Sequence, residues 1–382
     1  MKTPSEIEIS LNALEHNIRF IKQLVKKNVK ISSVVKGNAY GHGIEQYVPA
    51  AERCGIRHFS VFSVDEARRV MKIKQAGSEV MIMGWIPADQ LSWVIKNDIE
   101  FWIFDLKRLK LSLKEAIKQE KKARLHIELE TGMNRTGLNA AEAEEAITML
   151  KVQPEAFDLV GLCTHLAGAE SIANHVRVHR QVKQFKILVR LFQHHGLQPS
   201  VLHAASSAAT ITYPAFRFSM VRIGILQYGY WPSIETMIQY LSRRKDKTDP
   251  LCRIIRWKSS IMAIKKVKQG EFISYGTTYQ ATENKTIAVI PTGYTHGYSR
   301  SLSNSGWVLI REQRVPVIGM INMNMLIADI TAIPAANTGD EVILIGEQGN
   351  LTISVASFSE LSNQLNYELL SRLPAGITRH VV

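Results

Sequence analysis

One lysine follows an apolar, β-branched run and precedes a glycine-rich turn. The run 31–35 is typical of a buried strand, and Lys36 comes directly after it, followed by Gly37, Gly41 and Gly43. Burial disfavours the ammonium form of a lysine, and a neutral amine can attack a carbonyl and form a Schiff base. The alternative is a lysine that reaches solvent or pairs with a carboxylate. The glycines favour a ligand site, because they let backbone approach a ligand closely.

Strands and helices alternate over the first two thirds of the chain. About eight apolar runs are each followed by a segment with helical spacing, which predicts an α/β fold with a (β/α)8 TIM-type barrel at residues 1–240. In such a barrel the chemistry lies where strands end. Polar residues occur at those points, namely Lys36, Arg135, His165, Ser207 and Arg222. The predicted strands after the first are 58–64, 80–83, 100–104, 126–129, 159–162, 201–204 and 221–225.

The pattern changes near residue 240. Short apolar runs separated by glycines replace the alternation and predict an all-β domain at residues 241–382, with its first strand at 259–264. Residues 1–10 contain a further strand-like run that is a candidate to pair with this β domain. The basic stretch 242–250 is expected to be a linker or surface loop. Two domains also agree with a length of 382 residues, which exceeds one ordinary core.

Composition indicates a globular enzyme. Hydrophobic residues make up 46% of the chain and charged residues 21%, and neither a membrane span nor a signal-peptide region is apparent. We therefore expect a cytoplasmic protein without a membrane partner. Three cysteines with no CxxC pair argue against a disulfide framework and against a zinc site. His175 and His179 have i,i+4 spacing, but zinc needs three or four converging ligands, so no metal is expected.

The net charge of +13 would suit a nucleic-acid binder only if one face carried it. The lysines and arginines fall instead in several separate segments with interleaved acidic residues, and no recognisable binding module accompanies them. Nucleic-acid binding is therefore not expected. Anionic small molecules remain compatible with the charge.

A series of motifs occurs in the order typical of one family over nearly the whole chain. Together they resemble the alanine racemase family, which depends on pyridoxal 5'-phosphate. The motifs are Val34 to Gly43 around Lys36, Glu130 to Gly137 around Arg135, Thr164 to Ala167, His203 to Ala209, Val221 to Gly229, Ile273 to Tyr279 around Tyr275, and the later pair Thr292 to Tyr294 and Leu365 to Glu368.

The resemblance implies a two-base racemase. The cofactor would form a Schiff base with Lys36, and Lys36 and Tyr275 would be the acid-base groups on opposite faces of the substrate carbon. An ordinary tyrosine has a pKa of about 10, so a tyrosine base needs a neighbour that stabilises its phenolate. The family resemblance assigns that task to His165, which is linked to Arg222.

The remaining roles are also implied by the resemblance. Arg222 would face the pyridine nitrogen and keep it unprotonated, where a carboxylate would favour protonation. Arg135 would contact the cofactor and substrate, and Met323 would bound the substrate carboxylate. The phosphate would be held by three hydroxyls and two backbone N–H groups, those of Tyr40, Ser207, Tyr367, Gly224 and Ile225. A homodimer with shared active sites is expected.

Several positions depart from the family pattern. Glu128 stands where the family often has a carbamylated lysine, and its carboxylate is a candidate to supply the same negative charge beside Arg135. The alternative is an ordinary strand carboxylate paired with another basic residue. Ser206, Thr295, His296 and Asn324 replace other residues of the family motifs, and Asn324 lies beside Met323. Substrate size or rate could therefore differ from alanine racemisation.

Three classes of function stay open at this point. The leading prediction is an isomerase that interconverts L- and D-alanine, a peptidoglycan precursor. A racemase of serine or lysine, or a fold-related decarboxylase, is the second, and Arg222 argues against the decarboxylase. A non-catalytic cofactor carrier is the third, and Tyr275 with the full β domain argues against it.

Overall fold

The computed structural model describes residues 4–355 and 366–382, and of residues 366 and 367 only the backbone. The chain forms two compact units. The first, here called the barrel unit, consists of Ala13–Lys36 and Val48–Cys252. The second, the β unit, consists of Met1–Asn12, Gly37–Tyr47 and Arg253–Val382. The segment that follows Lys36 thus belongs to the β unit, whereas Lys36 itself belongs to the barrel unit.

Strand β1 (Ser5–Ile9) belongs to the β unit, and the next eight strands build the barrel unit. They pair in parallel around the order β8-β7-β6-β5-β4-β3-β2-β9. Between the two ends of this order, the Ser219 N–H donates to Leu202 O (3.2 Å) and the Arg222 N–H to Ala205 O (2.9 Å). The predicted TIM-type barrel is therefore confirmed. The strands are β2 (Lys30–Val34), β3 (His58–Val61), β4 (Glu79–Ile82), β5 (Glu100–Ile103), β6 (Ala123–Glu128), β7 (Phe157–Cys163), β8 (Val201–His203) and β9 (Met220–Ile223).

Helices alternate with these strands, and some of them have a side-chain cap at the N-terminus. The Ser63 and Asp105 side chains accept hydrogen bonds from the third residue of their helices, and Asn139 forms a reciprocal capping box with Glu142. Each such cap stabilises its helix by about 1 kcal/mol. The helices are Leu11–Val25, Ile44–Arg53, Val64–Ile73, Leu91–Lys96, Leu106–Lys118, Ala140–Val152, His175–His194, Ser207–Thr212 and Ile234–Ser242.

The β unit contains two sheets built from short strands. One sheet has the order β14-β13-β16-β10-β1-β18 with β17 on β16, and the other has the order β11-β12-β15. The predicted all-β C-terminal domain is thus confirmed, and one helix, Asn366–Arg372, accompanies it. The strands are β10 (Ile255–Ser260), β11 (Ala263–Val267), β12 (Lys285–Ile290), β13 (Trp307–Ile310), β14 (Gln313–Pro316), β15 (Leu326–Asp329), β16 (Glu341–Gln348), β17 (Leu351–Ile353) and β18 (Thr378–Val381).

The N-terminal strand β1 lies between two C-terminal strands of the β unit. It pairs antiparallel with β10 and parallel with β18. Its alternating burial matches this place, since Ile7 and Ile9 are buried while Glu6 and Glu8 lie on the other face.

One predicted strand in this part of the chain is wrong. The apolar run 259–264 spans the end of β10 and the start of β11, which lie in different sheets. At the bend, the Ile261 N–H donates to Asp340 O (2.9 Å) and the Met262 N–H to Val289 O (2.8 Å). Because the run stays apolar through the bend, the sequence contains no residue that marks the change of sheet.

Among the described residues, no helix is both long enough and apolar enough to cross a lipid bilayer.

Candidate active site

Lys36 lies at the end of β2, and the preceding residues are held firmly in the barrel. Val34 O accepts hydrogen bonds from Gln227 Nε2 (3.1 Å) and the Tyr228 hydroxyl (2.9 Å). The Val35 N–H donates to Ser60 O on the neighbouring strand (2.8 Å). These contacts place the lysine at the carboxyl end of the barrel strands, where a parallel barrel carries its chemistry.

The chain turns left-handed immediately after the lysine. Gly37, Asn38, Ala39 and Tyr40 all have φ between 51° and 61°. For residues with a side chain this conformation costs roughly 1–2 kcal/mol each, and such strain persists where the surroundings enforce it. Two hydrogen bonds close the turn, from the Gly41 N–H to Gly37 O (2.9 Å) and from the Gly43 N–H to Asn38 O (2.9 Å).

Within the β unit, C-terminal residues of the chain pack closely against this turn. A Cβ on Gly41 would lie 1.8 Å from Leu370 O, so only glycine fits at this position. Arg379 Nε donates to Gly41 O (2.8 Å). The C-terminal helix and strand therefore hold the strained turn in place.

Electrostatics favour the neutral amine of Lys36. Its side chain reaches the open end of the barrel, yet enough protein surrounds the amine that desolvation lowers its pKa. The positive charges of Arg135 and Arg222 lower the pKa further, and Glu66 opposes them. A lowered pKa makes the amine available as a nucleophile and as a base.

Arg222, on β9, is buried and holds its guanidinium in place through both terminal nitrogens. Nη1 donates to His203 Nδ1 (2.6 Å) and His203 O (3.1 Å), and Nη2 donates to Thr164 O (2.9 Å). The face of the guanidinium lies over the Trp102 ring, 5.1 Å from its centroid. Among the hydrogen bonds of the described residues, none uses the Nε–H of Arg222, which leaves that donor for a ligand.

His165 is a neutral imidazole whose tautomer follows from Arg222. Burial and the charges of Arg222, Arg135 and Lys36 lower the pKa of His165 to about 3. Arg222 Nη2 lies 3.5 Å from His165 Nδ1, and a guanidinium can only donate. Nδ1 is therefore the acceptor, and Nε2 carries the proton, so His165 can donate a hydrogen bond to an anionic oxygen.

Glu128 ends β6 and is only 3% exposed. Its Oε2 is a buried oxygen without a hydrogen-bond partner among the described residues. Burial raises the pKa of Glu128, although a hydrogen bond from Thr136 and the charges of Arg135 and Arg222 oppose the increase. The site therefore holds a carboxyl oxygen that feels the charges of Arg135 and Arg222 and forms no hydrogen bond with either arginine among the described residues.

We expect Glu128→Gln to lower activity and not to lower stability. Because the pKa is raised in the folded state, wild-type stability falls as pH rises from about 4.5 through the raised pKa. The glutamine amide at this position is neutral and can still accept a hydrogen bond from Thr136. The fall in stability with rising pH should therefore be absent from the variant when its thermal unfolding temperature is measured against pH. The loss of negative charge beside Arg135 should cost about tenfold in kcat/KM, the equivalent of one charge-assisted hydrogen bond. Kinetics equal to wild type at every pH would contradict the role of Glu128.

On the other side of the barrel end, Ser207 and Gly224 form a polar corner. The Gly224 N–H donates to Ser207 Oγ (2.9 Å), and both residues are buried at the starts of short helical turns. Ile225 follows directly, and its backbone N–H begins the next turn. A hydroxyl and backbone N–H groups in this arrangement suit a phosphate oxygen. Ser206, which precedes them, makes no side-chain capping bond.

In the β unit, the Tyr275 loop packs against the Met323 loop. Tyr275 is 70% exposed and Met323 is 54% exposed. Ser274, which has φ of 69°, donates through Oγ to Met320 O (2.6 Å) and to Asn322 Oδ1 (3.2 Å). Two residues at the tips of adjoining loops therefore remain accessible to a ligand or a second protein.

Two departures from the family pattern, Thr295 and Asn324, are partners in the folded chain. Asn324 Nδ2 donates to Thr295 Oγ1 (3.1 Å), and Thr295 Oγ1 donates to Met323 O (2.7 Å). The Thr295 N–H also donates to Met323 O (3.1 Å). His296 accepts a hydrogen bond from the Gly293 N–H (3.2 Å). The replacements thus support the Met323 backbone as a pair.

The predicted site residues divide between the two units. In the barrel unit, Arg135 and Arg222 lie close enough to Lys36 and His165 to lower the pKa of both, and Ser207, Gly224 and Ile225 lie in the same unit. Tyr40, Tyr275 and Met323 lie in the β unit. Burial raises the pKa of Tyr40 to about 12, so it stays a hydroxyl donor at neutral pH. The Tyr367 side chain lies outside the described residues.

These barrel residues fit pyridoxal phosphate. An amine with a lowered pKa, a guanidinium donor and a hydroxyl beside backbone N–H groups are the three features that its aldehyde, ring nitrogen and phosphate need. All the residues that would hold pyridoxal phosphate in these three ways belong to the barrel unit.

Sequence reasoning missed a second set of polar residues inside the barrel. Glu100, His126 and His203 are fully buried on β5, β6 and β8 and lie behind Arg222. The signal was present, since Arg124, His126 and Glu128 alternate along β6 and so point to one face of the strand.

The chain matches two family models, described as the alanine racemase N-terminal domain at residues 9–232 and the alanine racemase C-terminal domain at residues 254–381. An alanine racemase from Leptospira interrogans is 33% identical and aligns over 99% of this chain and 96% of its own length. The alanine racemase of Clostridium difficile 630 has a similar structure, with a TM-score of 0.90 and 28% identity over 100% of this chain and 96% of its own.

A second similar structure contains a ligand. It is an alanine racemase from Bacillus anthracis with bound L-Ala-P, with a TM-score of 0.89 and 28% identity, covering 100% of this chain and 96% of its own. The family models together cover most of the chain. The chain therefore belongs to the alanine racemase family.

Proposed function

We propose that the protein is a pyridoxal-phosphate-dependent isomerase that interconverts L- and D-alanine. The observation that carries the proposal is the pairing of Lys36, an amine with a lowered pKa, with the guanidinium of Arg222 at one end of the barrel. When bound, pyridoxal phosphate withdraws electrons from the α-carbon of the amino acid and makes its proton acidic. The protein must then remove that proton from one face and return one to the other.

Lys36 and Tyr275 are the proposed bases. The Lys36 amine takes or returns the proton on one face, since its lowered pKa leaves part of it neutral. The Tyr275 oxygen does so on the opposite face. His165, with Nδ1 accepting from Arg222, offers its Nε2–H to stabilise the tyrosine oxygen.

Arg222 distinguishes this proposal from a decarboxylase on the same fold. A guanidinium can only donate, so Arg222 would hydrogen-bond an unprotonated ring nitrogen and would disfavour its protonation. Electron withdrawal would then be weaker than with a protonated ring nitrogen. This weaker withdrawal suits a reaction that moves one proton and leaves the carboxylate in place.

The other proposed roles follow the positions of the residues. Ser207, Gly224 and Ile225 would hold the phosphate together with Tyr40 and Tyr367. Arg135 would contact cofactor and substrate, and Met323 would bound the substrate carboxylate. The backbone of Met323 is supported by Thr295, which favours a defined limit on substrate size.

We also propose a homodimer in which Tyr275 and Met323 of each chain complete the site of the other. Their exposure at adjoining loop tips supports a contact with a second chain. A cytoplasmic enzyme that supplies D-alanine as a peptidoglycan precursor agrees with three cysteines that form no disulfide.

The test is to incubate the purified protein carrying pyridoxal phosphate with L-alanine, L-serine and L-lysine separately and to follow the loss of optical rotation. We expect L-alanine to lose rotation fastest. Faster loss with L-serine or L-lysine would assign the enzyme to a different substrate. No loss with any of the three, by protein that shows the visible absorbance of bound cofactor, would refute the proposed racemase.

A further inference from the structure

A continuous hydrogen-bonded chain crosses the interior of the barrel from Arg222 to a buried carboxylate. Arg222 Nη1 lies 2.6 Å from His203 Nδ1, His203 Nε2 lies 2.9 Å from His126 Nδ1, and His126 Nε2 lies 2.8 Å from Glu100 Oε2. We call these four residues the histidine chain. Glu100 and both histidines have no exposed surface, and Arg222 is 4% exposed. No solvent molecule can therefore replace a partner without opening the barrel.

The two ends of the histidine chain determine the protonation of its middle. Arg222 can only donate and an ionised carboxylate can only accept. His203 must therefore accept at Nδ1 and donate from Nε2, and His126 must do the same. An imidazolium at either position would place two donors face to face. Both histidines are thus neutral and carry their proton on Nε2.

The charges around the two histidines support this protonation state. Burial and the charge of Arg222 lower the pKa of His203, and burial lowers that of His126 although Glu100 opposes it. Burial alone would raise the pKa of Glu100, but hydrogen bonds from His126 and His58 outweigh it and hold the pKa well below its usual range. The other charged or titratable groups acting on the two histidines are His58 and Lys30.

Glu100 is anchored from the other side as well. Its Oε2 also accepts from His58 Nε2 (2.9 Å), and its Oε1 pairs with Arg124 Nη2 (2.8 Å). Arg124 also pairs with Glu79, which binds Lys30. His58, Glu79 and Glu100 lie within ligand distance of one another, but the two cations already occupy both carboxylates, so the cluster is an ion-pair network.

Arg222 itself has no carboxylate partner among the described residues. A buried guanidinium normally needs a counter-charge, since leaving it uncompensated is strongly destabilising. The charge of Glu128 acts on Arg222 without a hydrogen bond between the two side chains. The histidine chain adds a link to the carboxylate of Glu100, because each hydrogen bond in it polarises the next. A carboxylate bonded directly to Arg222 would occupy its N–H donors, whereas the chain orients the guanidinium and leaves its Nε–H for a ring nitrogen.

We propose that Glu100 is a positioning residue for the racemase reaction, acting on Arg222 through the tautomers of His126 and His203. The proposal rests on the proposed function, because it concerns the guanidinium that faces the cofactor ring. It adds Glu100, His126 and His203 to the residues that determine the rate of the reaction. It also predicts a protonation pattern that can be measured without turnover.

Gly161 on β7 provides independent support. A Cβ at this position would lie 2.3 Å from His126 Nδ1, the atom that accepts from His203. The absence of a side chain at Gly161 thus leaves room for the His126 ring, next to the nitrogen that accepts the hydrogen bond from His203. Gly161→Ala should break the bond between the two histidines without removing the charge of Glu100.

The first test uses the wild-type protein with pyridoxal phosphate bound. Nitrogen NMR of ¹⁵N-histidine-labelled protein, with His126→Gln and His203→Gln used only to assign signals, distinguishes the tautomers. We expect both residues to be neutral, with the proton on Nε2, from about pH 6 to about pH 9, either side of the ordinary histidine pKa. A protonated imidazole, or a proton on Nδ1 of either residue, would overturn the proposal.

The second test compares Glu100→Gln with Glu79→Gln. The glutamine amide has one donating NH2 group in place of an accepting oxygen. In one orientation this group would face the N–H donors of Arg124, and in the other it would face the two imidazole N–H groups, so one set of hydrogen bonds would be lost either way. We expect kcat to fall about tenfold to hundredfold, the equivalent of a charge-assisted hydrogen bond, with a shifted visible absorbance of the bound cofactor. Glu79→Gln removes a carboxylate from the same network without touching the histidines, and should stay within about threefold of wild type.

Gly161→Ala should reproduce the absorbance shift of Glu100→Gln. If both variants keep the wild-type absorbance and rate, Glu100 does not act on Arg222 and the proposal is wrong. The NMR result separates this failure from a failure of the proposed function. A protein with the expected tautomers but no racemisation refutes only the function, and an active racemase with other tautomers refutes only the histidine chain.

Discussion

Lys36→Ala should abolish racemisation and covalent attachment of the cofactor together. The variant loses the amine that attacks the cofactor aldehyde and also one of the two acid-base groups. Loss of a single acid-base group costs about 10²- to 10⁴-fold, so the combined loss should exceed the upper end of that range. The measurements are the rate with L-alanine and the mass of the protein after borohydride reduction, which fixes a cofactor bound through an amine.

Lys118→Ala is the matched control. Its side chain is 76% exposed and forms only a surface ion pair, with Glu115. We expect wild-type activity and a mass increase equal to one reduced cofactor per chain in the control. Retention of that mass increase by Lys36→Ala would place the attachment on another lysine and contradict the assignment of Lys36.

Tyr275→Phe should abolish the interconversion while the cofactor stays attached. Removing the hydroxyl removes one base, which is worth about 10²- to 10⁴-fold, and leaves Lys36 in place. Because the side chain is 70% exposed, the loss of one oxygen should leave the thermal unfolding temperature unchanged. The informative measurement is exchange of the α-proton in heavy water, starting from each enantiomer separately. We assign the proton of L-alanine to Tyr275 and that of D-alanine to Lys36, so exchange should collapse from L-alanine and persist from D-alanine.

Mixing the two inactive variants tests whether the site is shared. In a homodimer with shared sites, one mixed dimer has a site with Lys36 from one chain and Tyr275 from the other. Random reassembly should recover about a quarter of the wild-type rate, since half of the dimers are mixed and each has one intact site. No recovery, with mixed dimers present, would show that both bases come from one chain.

Most of the architecture could be predicted because each barrel strand is buried on both faces and reads as an apolar run. The predicted strand 100–104 and the observed β5 (Glu100–Ile103) differ by one residue, and the other barrel strands differ by a few. The strand at 259–264 could not be predicted correctly, since the residues from Ile261 to Ile264 are all apolar although Met262 at the bend is 46% exposed. An apolar run does not report which sheet each of its residues joins.

The site was predictable in part for a different reason. Lys36 and Arg222 stand out as charged residues in apolar strands, which is costly without a task. The left-handed run through Ala39 and Tyr40 was not predictable, because neither residue favours that conformation and the β unit enforces it. The histidine chain was also missed. Its members lie on four strands, and their pairing depends on how the barrel closes.

The most direct test of the two-base proposal is the hydrogen at the α-carbon of the product. Wild-type protein with pyridoxal phosphate is incubated with L-alanine in heavy water. The D-alanine formed while little substrate has reacted is isolated, and its mass is determined by mass spectrometry. Two bases on opposite faces predict that the D-alanine carries deuterium at the α-carbon, because the proton that Lys36 or Tyr275 removes is not the one that the other returns. D-alanine that retains the substrate's own proton would contradict the account, since a single base would then carry it from one face to the other.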